Sequence, residues 1–182
     1  MSSQPPRRLG LQPFDRDMIR DSLERREMPF TTDVDGDFSV TMRLAAEGQE
    51  VGLDLAMFLL ATGTNSEVYS VRGTAAAPVP EEFWGPMIGT CNRWNAQSLF
   101  TKAYLITQDA TDDSPAVGQI IVDQNVSLEP GVSQMQIDEF THKAVDGIIS
   151  FWTWLASEGI IQLAPAQGGD GGGEGEMDPN LN

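Results

Sequence analysis

The chain has 182 residues, of which 11 are Lys or Arg and 27 are Asp or Glu, for a net charge of −16; 40% are apolar. This balance leaves no basic footprint to neutralise phosphates, which excludes nucleic acid and anionic membrane surfaces as partners. The apolar share is enough for one ordinary core with flexible ends.

Residues 1–13, with Arg7 and Arg8 but no apolar stretch, read as a disordered leader and not as a secretory signal. Asp15 then caps a helix over residues 16–26, whose narrow apolar stripe is Met18, Ile19, Ser22 and Leu23, with Arg26 at its end; Pro29 stops it. Residues 30–34 and 38–44 form a hairpin across Asp35-Gly36, with Phe38, Val40, Met42 and Leu44 alternating inward. Residues 51–61 and 67–75 are the next two strands. The run over residues 53–61, broken by Asp54, is far shorter than the ~20 residues that cross a membrane as a helix.

After Pro78-Val79-Pro80, Glu81 and Glu82 open a second helix that runs to Trp94. Strands follow over residues 100–107 and 116–123, the latter extending toward Leu128. Ile137, Phe140, Thr141, Ala144, Ile148, Trp152 and Leu155 recur at three- and four-residue intervals, which predicts a long third helix over residues 133–157. Residues 14–165 are therefore one α+β domain of three helices on an antiparallel sheet. Residues 166–182, rich in Gly and acid, read as a flexible tail.

The chemistry-bearing residues are sparse. Asp33, Asp35 and Asp37 begin like a calcium loop, but Phe38 stands where Gly is needed and Leu44 where a bidentate Glu is needed, so a hairpin turn is expected. Asp109, Asp112 and Asp113 share a loop with no rigid frame. One histidine, His142, excludes multi-histidine metal sites and falls at the edge of the third helix's stripe. The lone cysteine, Cys91, excludes an intrachain disulfide and belongs on the apolar side of the second helix. No catalytic, cofactor or metal residue is assigned. Phe151, Trp152 and Trp154 span more of a helix than one stripe can bury, and Phe83 with Trp84 raises the same question. These five are candidate interface residues, and Trp94 and Asn95 are the structural joint between helix and strand.

From Trp84 to Leu155 the chain resembles the YbjN-domain family of bacterial sensory transduction regulators. The resemblance is carried by Cys91-Asn92-Arg93-Trp94-Asn95, the strand Phe100-x-Lys102-Ala103-Tyr104-Leu105, a second strand with an acidic end, Gly131-Val132, and the long helix with Phe151-Trp152. It implies a twisted antiparallel sheet flanked by helices, similar to type III secretion chaperones, which commonly form homodimers and bind extended partner segments without catalysis. The family brings no catalytic residues to carry over. The expectation is a cytoplasmic, non-enzymatic protein-binding module that works as a homodimer, chaperone-like or regulatory. The alternative is a small-ligand sensor with a pocket between sheet and helices, and a carboxylate enzyme stands behind both.

Overall fold

The computed structural model describes residues 10–45, 51–111, 114–161 and 164–165. Nine residues of the expected leader, the whole tail, and Asp112 and Asp113 lie outside them. Helix α1 (Arg16–Arg25) starts where Asp15 accepts from the Met18 N–H at 3.1 Å, supplying a partner for an end donor that the helix itself cannot satisfy. Its buried side chains are Met18, Ile19, Ser22 and Leu23, the stripe read from the sequence. The expected leader is pinned at its end: Gln12 exchanges both backbone hydrogen bonds with Val132, at 3.0 and 2.9 Å.

The strands are β1 (Thr31–Thr32), β2 (Phe38–Ala45), β3 (Val51–Thr62), β4 (Val68–Ala75), β5 (Lys102–Gln108), β6 (Val117–Ser127) and β7 (Ala164–Pro165). They form one sheet in the order β1-β2-β3-β4-β6-β5, every pair antiparallel, with β7 on the start of β3. The first hairpin keeps only two residues in β1, fewer than its sequence suggests. The reason is local: Asp33 Oδ1 accepts from the N–H of Asp35 and of Asp37, both at 2.9 Å, which curls the turn and leaves Val34 outside the ladder. Gly36 takes the positive φ of +82° that this turn requires.

A single 3-10 turn (Glu81–Phe83) leads into α2 (Trp84–Gln97), which runs three residues beyond Trp94. Pro86 falls in the first turn of α2, where a missing N–H costs no hydrogen bond. Helix α3 (Gln134–Ser157) opens on a capping box between Ser133 and Gln136. Phe140 of its expected stripe is half-buried; the others are buried, joined by Val145 and Phe151.

Strand register puts Val40, Met57, Val71 and Val122 on the helix side of the sheet, where they form the core with α1 and α3. Helix α3 lies close against the sheet at Gly73, where an added Cβ would overlap Ile148 Cγ2. One polar pair lies in this core. Thr141 donates to the Ile137 carbonyl at 2.8 Å, so its oxygen is left to accept from the Tyr69 hydroxyl, also at 2.8 Å. The other sheet face is mixed: Arg43 lies 3.7 Å from Asp54 and Tyr104 is bonded to Asp123 at 2.9 Å, while Phe58 and Ile106 are exposed on it.

Candidate functional site

The end of α2 is tied to β5 by one side chain. Asn95 donates from Nδ2 to the Ala103 carbonyl at 2.9 Å and accepts the Ala103 N–H on Oδ1 at 2.8 Å. Its amide therefore stands in for a neighbouring strand at the outer edge of β5. Trp94, half-buried, packs 5.4 Å from Phe151 and 5.6 Å from Trp154, centroid to centroid. The two joint residues thus have separate structural work: one closes backbone groups, the other joins α2 to α3.

The start of α2 is fixed by a strap. Val79 exchanges backbone bonds with Gly118 at 2.7 and 2.9 Å, and the Val79 carbonyl also accepts from the Trp84 indole at 3.0 Å. A Cβ on Gly118 would come within 2.6 Å of Trp84 Nε1, so glycine is what lets the indole lie against β6. Trp84 is accordingly half-buried with its N–H in use.

Between strap, sheet and helices lies a cleft of about 420 Å³. Ala75 and Ile120 of the sheet contribute to its lining, as do Met87, Thr90 and Arg93 of α2, and Trp152 together with Ile160 and Ile161 beyond α3. Pro78, Pro80 and Phe83 also border it. The Thr90 hydroxyl is spent on the Pro86 carbonyl at 3.0 Å. The Trp152 indole N–H is buried with no hydrogen-bond partner among the described residues, and Arg93 is the one charged side chain of the lining. Arg93 also lies over the Trp154 ring at 5.5 Å and reaches Glu158 only loosely, at 3.9 Å, with 58% of its side chain exposed. A second, more open hollow of about 400 Å³ between β6 and α3 contains Gln124, whose Oε1 is buried without a partner. Its rim carries Glu139 and Lys143 in a 2.7 Å ion pair, so it offers no net charge.

The candidate interface residues divide. Phe151 and Trp152 are buried within the chain, because α3 has cover on more than one side: the sheet lies against Ile148, and Trp94 of α2 against Phe151. Trp154 is half-buried, and Phe83 is 53% exposed. The sequence reading did not foresee that Arg93 and Trp152 border one cleft. The Pro78-Val79-Pro80 run was the available signal, since two prolines fix a strap that cannot join a strand interior.

The reactive side chains do not converge. Cys91 is buried, and burial pushes its thiol up to about 11, well away from a thiolate at neutral pH. His142 is exposed, 3.3 Å from Asp146 and 3.0 Å from Arg26. Among the described residues, no group of three or more His, Cys, Asp or Glu side chains could hold a metal, and no helix is long and apolar enough to cross a membrane.

Fold and cleft together define a small α+β protein with an apolar recess between its sheet and two of its helices. The chain belongs to the YbjN family, described as "Putative bacterial sensory transduction regulator", whose model matches residues 15–157. Among solved structures it is similar to "YbjN, a putative transcription regulator from E. coli", at 18% identity and a TM-score of 0.60, over 82% of this chain and 96% of that one. That likeness is one of fold. No curated protein matches the sequence.

Proposed function

We propose that this chain is a non-catalytic regulatory module that works by binding an apolar group in the cleft between α2, the sheet and the end of α3. One observation carries the reading. The cleft is bordered by three separate parts of the fold, and its residues are apolar except for Thr90, whose hydroxyl is already bonded, and Arg93. Mostly apolar walls with a few polar groups are the common form of a ligand pocket. An occupant would touch α2 and α3 together, so that binding could bias their relative packing. The family description, a sensory regulator, supports the same reading.

The test uses Nile red, a neutral apolar dye, with the intact chain and with Ala77→Trp. Ala77 is exposed at the cleft, so the large ring obstructs it without entering the core. Dye fluorescence should rise with the parent protein and fall at least fivefold in affinity with the variant. Equal binding to both would place the dye elsewhere and remove the reading.

A second reading, binding of a protein partner, is favoured by Phe83 and Ile88. They are 53% and 49% exposed on either side of the first turn of α2. Phe83, with the half-buried Trp84 and Trp154, keeps the place in this reading that Phe151 and Trp152 leave.

A further inference from the structure

We infer that the cleft docks a segment of this same chain, residues 177–181, with the side chains of Met177, Pro179 and Leu181 against its apolar walls. The inference rests on the cleft being a binding site, and adds how that site is regulated: an outside ligand has to displace the segment.

The exit of the chain from β7 sets the geometry. Ala164 and Pro165 pair with Gly52 and Val51. Leu53, the next residue along β3, lines the cleft, and so do Ile160 and Ile161 just before β7. Residues 166–182, which lie outside the described ones, therefore follow on from the rim of the cleft. Within residues 166–176, glycine stands at 168, 169, 171, 172, 173 and 175. A Gly-rich spacer of that length has a mean end-to-end distance of about 18 Å. Met177 is thus tethered within reach of the cleft, at an effective concentration on the order of 1 mM.

The sequence changes character after the glycines. Met177, Pro179 and Leu181 alternate with Asp178, Asn180 and Asn182. Alternate residues of an extended chain share one face, so the three apolar side chains fall on one edge of the segment. Pro179 fixes its own φ and steers Asp178 before it toward extended backbone, which lowers the cost of ordering on binding. The size agrees. At about 30 Å³ for each water, 420 Å³ holds roughly fourteen waters, and the three side chains bring roughly a dozen heavy atoms. Charge agrees in sign: Glu176 and Asp178 flank Met177, and Arg93 is the one charged side chain of the lining. That guanidinium is largely exposed, so it orients the segment more than it holds it.

The experiment has two readouts on the intact chain. The first is the methyl resonance of Met177 in protein labelled with carbon-13 at its methionine methyls, assigned by Met177→Leu. It should be displaced from the random-coil position, return to that position in Ala77→Trp, and stay unmoved as protein concentration is raised. A random-coil position in the parent protein, or a displacement that survives Ala77→Trp, would overturn the proposal. A displacement that grows with concentration would assign the segment to a second copy and overturn it equally. The second readout is Nile red, which should bind at least threefold more tightly when Met177→Asp and Leu181→Asp are combined. If that variant binds dye as the parent does, while Ala77→Trp still blocks it, the binding site stands and its internal occupant falls. If Ala77→Trp changes neither readout, site and occupant fall together.

Discussion

At the scale of single residues, Asn95 and Cys91 show what a sequence can and cannot disclose. An Asn after the last helical aromatic suggests backbone capping, and Asn95 does bond backbone, but eight residues away on Ala103. The residue type was legible; its partner depended on how α2 folds back along β5. Cys91 was legible as a buried thiol from its place beside Met87 and Ile88, and it is buried. Its pKa is raised from 9.0 to about 11, because burial disfavours the thiolate. The sign follows from linkage. Between those values the unfolded chain has lost the proton and the folded chain retains it, so stability present below pH 9 is lost as pH rises toward 11. In urea melts between pH 8 and pH 10, the parent protein should lose about 1 kcal/mol more than Cys91→Ala. Tyr69, raised for the same reason, is common to both and cancels. Equal losses would mean that the thiol ionises in the native state as easily as in water.

At the scale of elements, the long helix was the most legible part of the chain. Its apolar spacing gave the period and an extent of residues 133–157, within one residue of the helix observed, whose capping box between Ser133 and Gln136 was not read from the sequence. The aromatic surplus at its end misled for a physical reason: a stripe argument assumes a helix buried on one side only, and α3 meets both the sheet and α2. The cleft was expected only as an alternative, without residues, because it is bounded by a strap and a returning segment whose positions no local pattern encodes. The meeting of α3 with β4 was equally hidden in an ordinary strand glycine. Gly73→Ala should destabilise the fold by about 1–3 kcal/mol, since the Ile148 methyl it would strike belongs to a stiff, β-branched side chain in a packed helix. Pairing that change with Ile148→Val should leave the cost largely as it was, since the methyl in question, Cγ2, is kept in valine. Ile148→Ala, which removes it, should recover part of the loss in a double-mutant cycle. Additive losses from Gly73→Ala and Ile148→Ala would show that the two positions do not press on one another.

At the scale of the whole molecule, the α+β architecture, its three helices and its antiparallel sheet were all legible, because alternation and helical spacing are strong in this chain. Association of copies is a different matter, since it depends on which apolar groups remain uncovered after folding. Phe83 and Ile88 do, at the start of α2. Sedimentation at micromolar concentration should give twice the chain mass if they form the contact between two copies, and Phe83→Asp should return the chain mass with circular dichroism unchanged. A parent protein that sediments as one chain would leave those residues to a different partner or to none. Net charge of −16 opposes close approach of copies, so the dimer should strengthen as salt is raised.

The amide of Asn95 has a consequence beyond the joint it closes. A sheet ends in two outer strands, and each is a template on which another chain could crystallise its own backbone. Here one margin is β1, two residues long, followed by the stretch of β2 that β1 does not reach, and the other is interrupted at Ala103 by a side chain that imitates a strand. The immunity of this sheet to growing outward at β5 is therefore stored partly in a single carboxamide, a group that ages by hydrolysis to a carboxylate. The carboxylate can still receive the Ala103 N–H but has nothing to offer its carbonyl. Slow chemical ageing at this one position would reopen half of the lock, turning a stable margin of the fold into a place where polymerisation can start.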